Sequence, residues 1–299
     1  MKKILITGAN SYIGTSFEKW LKRYPDKYTV ETVDMIGEGW KRKSFAGYDA
    51  VFHVAGIAHV SSGPKLKDLY YKVNRDLAIE TAKKAKTEGV KQFIFMSSII
   101  VYGNGTGGKK LINKNTKPNP LNHYGNSKLQ AEAGIGKLEG NEFKAVIIRA
   151  PMIYGYGSKG NYARLSKLAQ KIPIFFDFDN KRSMLHIDNL CEFVRLLIDN
   201  DESGIFYPQN EEYVKTGELV KAIAEVHGKK ILLTKAFNPI IRLLLGRVEI
   251  ANKVFGDLMY EKSMSDYSKA NYRIRTFKES VYLSELGSGV IWDQVILPS

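Results

Sequence analysis

Ile4-Leu5-Ile6-Thr7-Gly8-Ala9-Asn10-Ser11-Tyr12-Ile13-Gly14 is the stretch on which the fold turns. An apolar run of strand length gives way to a glycine turn, and helically spaced apolar residues follow at Phe17, Trp20 and Leu21. The order strand, turn, helix lets a pyrophosphate approach the backbone and meet the free N–H groups that open the helix. About 20 residues later Asp34 stands where a second strand should end, the place for a carboxylate that accepts from ribose hydroxyls. By itself the turn is also compatible with a purely structural βα connection, so further segments must decide.

Tyr124-Gly125-Asn126-Ser127-Lys128 puts a phenol and an ammonium on the same face of a helix. Tyrosine titrates near pH 10 and is a poor acid or base at neutrality until a cation favours its phenolate, a task that falls to Lys128. Alone, the pair reads as an ordinary exposed Tyr and Lys. Phe93-Ile94-Phe95-Met96-Ser97-Ser98 is an apolar strand that ends in two hydroxyls, and strand ends carry ligands in parallel α/β sheets. Ser97 and Ser98 can equally satisfy backbone groups there; taken with Tyr124, Lys128 and the glycine turn, they point to a Ser-Tyr-Lys hydride-transfer site.

Several further segments occur in a fixed order: Asp49-Ala-Val-Phe-His53-Val54-Ala55-Gly56, Val73-Asn74, Ser97-Ser98-x-x-Val-Tyr102-Gly103, Tyr124-Gly-x-Ser127-Lys128-x-x-x-Glu132, Arg149-Ala-Pro-Met-Ile-Tyr154-Gly155 and Arg182-Ser-Met-Leu-His186-Ile-Asp188. With these the chain resembles the extended short-chain dehydrogenase/reductase family, in its nucleotide-sugar epimerase/dehydratase branch. The resemblance implies a cofactor site of Gly8, Asn10, Ser11, Tyr12, Ile13, Gly14, Asp34, Val54, Ala55, Gly56, Asn74, Ser97, Tyr124 and Lys128. It also implies catalysis by Ser98, Tyr124 and Lys128. Ser11 departs from the family's usual middle glycine, and its hydroxyl can donate a compensating bond. A narrower resemblance, to the 4-ketosugar reductases of bacterial capsule and O-antigen pathways, rests on Arg149–Gly155, Gly160-Asn161-Tyr162, Asn180-Lys-Arg182-Ser183 and Val254–Tyr260. Those enzymes reduce UDP-4-keto-6-deoxy-N-acetylhexosamines to UDP-N-acetylfucosamine or UDP-N-acetylquinovosamine.

The expected fold class is α/β, a Rossmann-type doubly wound parallel sheet. Residues 1–150 form the dinucleotide-binding domain with the catalytic residues, and 151–299 a smaller substrate lobe from which some segments return to the first domain. Strands are expected at 3–7, 28–34, 50–54, 92–96 and 144–148. Helical spacing predicts a helix from about Lys67 to Glu88, with Leu69, Val73, Leu77 and Ala85 near one face and Gly89 as its stop. Asn74 on that helix reads either as part of a polar network behind the site or as a core-edge hydrogen bond. Asn104–Pro120 reads as a long loop bordering the substrate.

In the substrate lobe Arg182 is the principal candidate, because a guanidinium grips a diphosphate bidentately; Asn161 and Lys159 are further nucleotide contacts. Cys191, the one cysteine, excludes an intramolecular disulfide and sits in an apolar helical pattern as a core residue. His53, His59, His123 and His227 lack metal-ligand spacing, His186 lies in an apolar segment, and no metal is expected. With 45 Lys and Arg against 31 Asp and Glu, the net charge of +14 suits anionic partners. The cations are scattered and match no nucleic-acid motif, so nucleic acid is not expected. Met1-Lys-Lys leads into only three apolar residues before the turn, and no apolar run has bilayer length; neither a signal peptide nor a transmembrane segment is expected, and the cytoplasm is the expected compartment. A homodimer is one assembly these readings allow. Phe237–Tyr260 alternates apolar and basic residues, which leaves open packing of the small lobe or contact with a membrane surface.

The expected reaction is hydride transfer from a nicotinamide to C4 of a 4-ketosugar, with Tyr124 delivering the proton, Ser98 bonded to the carbonyl oxygen and Lys128 lowering the Tyr124 pKa. Asp34 favours NAD; Lys41, Arg42 and Lys43 keep NADP open. A UDP-sugar 4-epimerase would use the same three residues. A 4,6-dehydratase would need an acid pair directly after Ser98, where Ile99 and Ile100 stand. A non-catalytic NAD-binding regulator would not need to keep all three residues.

Overall fold

The protein is described from a computed structural model covering residues 1–58, 64–103 and 110–287. Six strands form one parallel sheet: β1 (Lys2–Thr7), β2 (Tyr28–Val33), β3 (Ala50–His53), β4 (Gln92–Ser98), β5 (Lys144–Ala150) and β6 (Gly204–Phe206). Their order across the sheet is β6-β5-β4-β3-β1-β2. Strand alternation explains why the apolar runs are continuous: Ile4, Ile6, Ile94 and Met96 enter the core on one face, while Leu5, Phe93 and Phe95 enter it on the other. Helices α1 (Tyr12–Leu21) and α5 (Ile187–Asp199) cover the first face, with Cys191 buried in that core. Helices α2 (Leu77–Thr87) and α3 (His123–Gly136) cover the second.

The structure departs from the sequence expectations in three places. β4 and β5 each run two residues further than expected, because Ser97 pairs with Arg149 and Ser98 with Ala150. That extension carries Ser98 to the carboxyl edge of the sheet. β6 was not anticipated; its three residues are too few for a periodic signal. The expected helix from Lys67 instead starts at Pro64 and passes through a π-helical stretch, Tyr71–Asp76, before α2. Of the expected face Ala85 is buried, beside Ala78 and Ala82, while Leu69 is exposed.

β1 lies between β2 and β3, so the chain reverses its direction of winding at β1/β3, where open α/β sheets bind ligands beyond the strand ends. The glycine turn stands at this point. Gly8 has a φ of +104°, and a Cβ there would lie 2.8 Å from the Ala55 backbone nitrogen after β3.

Beyond β5, strand Met152–Tyr154 pairs with Met184–His186, and Ile174–Phe176 with Leu232–Thr234. Helices α4 (Asn161–Ala169), α6 (Thr216–Val226) and α9 (Phe277–Leu286) contribute to a separate core that includes Tyr154, Tyr162, Leu219, Ile223 and Val281. In Phe237–Tyr260 two short helices, α7 (Asn238–Leu244) and α8 (Glu249–Phe255), pack Ile241 and Phe255 into it. The expected loop 104–120 lies partly outside the described residues; within it Leu111–Ile112 pairs with Met259–Tyr260.

Gly8→Ala adds a side chain where both φ and space exclude one. The variant should lose about 1–3 kcal/mol of stability, read by denaturant unfolding, and a wild-type midpoint would show that the turn relaxes freely.

Candidate active site

Ser11 caps α1: its Oγ accepts from the Gly14 N–H at 3.1 Å, which leaves its own proton for a ligand. Asn10 adopts a left-handed φ of 64° to enter the cap. The amides of Tyr12 and Ile13 open the helix with no acceptor inside it. A Cβ at Gly14 would meet the Ser11 Oγ at 2.7 Å and Ile6 and Val54 at 3.1 and 3.2 Å, so this glycine seats α1 against β1 and the Val54-Ala55-Gly56 segment. The Tyr12 side chain turns away, into the core, where its hydroxyl is buried without a partner. Asp34, just past β2, is exposed and accepts from the Ile36 N–H. Lys41 is paired with Glu38 and Glu80, and Lys43 with Glu31.

Asn122 caps α3 by accepting from the Gly125 N–H at 2.8 Å. Gly125 sits so close to the strand end that a Cβ would lie 2.8 Å from the Ile100 carbonyl oxygen. That approach brings the half-buried Tyr124 phenol next to Ser98. Ser98 Oγ also accepts from the Ile100 N–H. Lys128 is fully inside: its Nζ donates to the Met96 carbonyl at 2.8 Å and lies 4.6 Å from the centre of the Phe95 ring. Burial lowers its pKa to about 8, with Glu132 acting the other way. Burial also raises the Tyr124 pKa above its usual value, opposed by Ser98. The expectation that Lys128 lowers the Tyr124 pKa therefore fails in this state: desolvation dominates, and the ammonium is turned to Met96.

Asn74 uses both ends of its amide on the protein, with Oδ1 accepting from Ile57 N–H at 2.9 Å and Nδ2 donating to Ile57 O and Ser127 Oγ. It holds the turn after β3 behind Lys128. Ser97 donates to Glu132 and does not face outward with Ser98. Arg182 is set by backbone pairing with Val214, and its Nη1 donates to Gly256 O at 2.8 Å and, more weakly, Asn252 O at 3.5 Å. Desolvation lowers its pKa to about 10, with Asp257 opposing. Asn161 is the first residue of α4 and half-exposed; Lys159 is exposed. His53 bonds Thr7 and His186 caps α5, both with pKa values lowered by burial, to about 3 and 4. His59 lies outside the described residues.

The profile of the NAD dependent epimerase/dehydratase family matches residues 4–208. The chain belongs to that family. It is an NAD(P)-dependent enzyme of the extended short-chain dehydrogenase/reductase type. It is 30% identical to a UDP-glucose 4-epimerase of Vibrio cholerae, over 88% of each chain. It is 27% identical to the N-acetyl-alpha-D-glucosaminyl-diphospho-ditrans,octacis-undecaprenol 4-epimerase of Escherichia coli O157:H7, over 76% of this chain and 73% of that one. Its fold is that of a dTDP-4-dehydrorhamnose reductase of Clostridium acetobutylicum, with a TM-score of 0.72 and 20% identity over 94% of this chain and 97% of that one.

In this family member a buried ion pair between Glu132 and Arg149, which no local sequence signal marks, fixes the site from behind. Arg149 on β5 grips Glu132 on α3 through Nε at 3.1–3.2 Å and Nη2 at 2.6 Å, and its Nη1 donates to the Tyr102 hydroxyl at 2.6 Å. Burial opposes the Arg149 charge, yet the Glu132 bond and charge outweigh it and hold its pKa above the usual value. Glu132→Gln leaves the guanidinium buried without its counter-charge and should cost about 3–5 kcal/mol. Denaturant unfolding checks this, and adding Arg149→Met should recover part of the loss.

Proposed function

We propose that the chain reduces the C4 ketone of a UDP-4-keto-6-deoxy-N-acetylhexosamine. The observation that carries the reading is the placement of the Tyr124 phenol next to Ser98 at the end of β4, which is followed by two aliphatic side chains, Ile99 and Ile100. Such a site can polarise a carbonyl and deliver a proton, but those two positions supply no second acid or base for eliminating a hydroxyl.

The glycine turn fits a dinucleotide: Gly8 is excluded from carrying a Cβ, Ser11 has a hydroxyl proton to give, and the Tyr12 and Ile13 amides are open to a pyrophosphate. The reduced dinucleotide, NADH or NADPH, would supply the hydride when bound and leave as NAD(P)+. Asp34 and the turn of Val54, Ala55 and Gly56 flank the glycine turn; the pairing of Lys41 and Lys43 with carboxylates supports NAD, while the exposed Arg42 keeps NADP open. Ser98 donates a hydrogen bond to the C4 oxygen and stabilises the charge that develops there. Tyr124, whose raised pKa keeps it protonated at neutral pH, donates the proton. Lys128, one helical turn on, supports the phenolate left behind. A UDP-sugar and the polyprenol-linked sugar in the E. coli relative's name share a glycosyl diphosphate, and we assign Arg182, with Asn161, to that group.

Tyr124→Phe should lower turnover by a factor on the order of 10²–10⁴ with the far-ultraviolet spectrum unchanged; wild-type turnover would remove Tyr124 from the reaction. Lys128 is a cation below about pH 8 and neutral above it. If its charge supports the phenolate, kcat/KM falls as pH rises through that value, and Lys128→Arg should abolish the inflection.

The V. cholerae relative favours a second reading, 4-epimerisation of a UDP-sugar with the cofactor regenerated in every cycle. Supplying UDP-4-keto-6-deoxy-N-acetylglucosamine with NADH or NADPH separates the two. Reduction drives stoichiometric loss of absorbance at 340 nm, and UDP-glucose and UDP-N-acetylglucosamine give no 4-epimer. Interconversion of C4 epimers without net oxidation would transfer the function to the epimerase reading.

A further inference from the structure

The segment Lys235–Phe255 is apolar on two sides. Its inner side, through Ile241 and Phe255 with Leu245 and Val254, closes the core of the C-terminal lobe. Its outer side exposes Phe237, Ile240, Leu243, Leu244, Val248 and Ile250, with Ile250 at 74%, Leu243 at 61% and Ile240 at 56% exposure. A globular protein gains from covering such a patch.

We propose that α7 and α8 dock the protein on an anionic lipid surface. Charge decides the occupant. Across residues 235–255 the sequence holds Lys235, Arg242, Arg247 and Lys253 against the single acid Glu249. Lys235, Arg242 and Arg247 are exposed, and Arg247 donates to Leu243 O at 2.8 Å, which places its guanidinium beside an exposed aliphatic residue. Lys235 lies 3.7 Å from Asp177. Branched aliphatic residues ringed by long cations match the boundary between acyl chains and acidic headgroups, where the stems lie along the hydrocarbon and the charged ends reach phosphate. A protein partner would call for the aromatic anchors typical of interface centres, and this patch holds one, Phe237. A second copy of the chain would set these cations against each other across a two-fold axis. No helix among the described residues is long and apolar enough to cross a membrane, so the contact is interfacial.

The docking surface lies outside the Ser98, Tyr124 and Lys128 cluster, and the proposal stands whichever sugar reaction the chain performs. The test is sedimentation of the full chain with vesicles of phosphatidylcholine alone and of phosphatidylcholine mixed with phosphatidylglycerol. The expected result is binding to the mixed vesicles only, released by high salt. Leu243→Ser with Ile250→Ser should weaken it at least about tenfold. Arg242→Glu with Arg247→Glu should weaken it about fivefold for each cation lost; these two exposed positions keep the test open if the apolar variant misfolds. NAD(P)H binding should be unchanged in both variants. Absence of binding to mixed vesicles, equal binding to both vesicle types, or undiminished binding by the folded variants would overturn the proposal. So would light scattering that shows a dimer abolished by the same substitutions, which would give the face to a second copy of the chain.

Discussion

The ion pair between Glu132 and Arg149 is the constraint on which the site depends. Taking two charges out of water costs several kcal/mol each, so such a pair survives only when its geometry is close to complete. Here it is: Glu132 accepts from both Arg149 nitrogens and from Ser97, and the remaining guanidinium arm reaches Tyr102. The Arg149 carbonyl in turn accepts from the Tyr260 hydroxyl, which ties the C-terminal lobe to the same point. Tyr124, Lys128 and Glu132 are spaced at successive turns of α3, so a helix anchored at Glu132 has little freedom to move the other two relative to β4. Ser97 and Ser98 divide the work accordingly, one turned back to the anchor and the other forward to the phenol.

Burial acts on the two titrating groups in opposite pKa directions and with one physical result. Both are pushed towards neutrality: Tyr124 holds its proton more firmly, and Lys128 releases its own near pH 8. A proton donor with a raised pKa is well populated but reluctant, and its reluctance must be relieved when the substrate oxygen becomes basic. What opposes the neutralisation of Lys128 is the Met96 carbonyl, the face of Phe95 and the charge of Glu132. The carboxylate that anchors the helix thus also favours the ammonium one turn away. The coupling makes Glu132 a positioning residue with an electrostatic reach.

Much of this was legible in the sequence where the signal is local. The turn from Gly8 to Gly14, the first five strands and the Ser98–Tyr124 pair follow from apolar runs, glycine spacing and helical periodicity. The ends of β4 and β5 were not, because Ser97 and Arg149 are polar yet buried, paired with each other across the sheet and both bonded to Glu132. The π-helical turn before α2 has no compositional mark; of the expected face Ala85 is buried, beside Ala78 and Ala82, while Leu69 is exposed. The Lys128 contact escaped for a related reason: its partner is a backbone carbonyl, identical at every position, that only the folded strand brings near. Glu132 and Arg149 stood in quoted motifs, yet nothing in their spacing says that they meet.

Arg182 is a half-buried charge with few protein partners. Its nitrogen bonds to the carbonyls of Gly256 and Asn252 at 2.8 and 3.5 Å, and desolvation pulls its pKa down to about 10. One good carbonyl bond and one marginal one leave donors of the fork unused. An anion delivered to the guanidinium would engage them, and a diphosphate matches its fork. The carbonyls that hold Arg182 belong to the end of α8, the helix whose other side carries Ile250 to the surface.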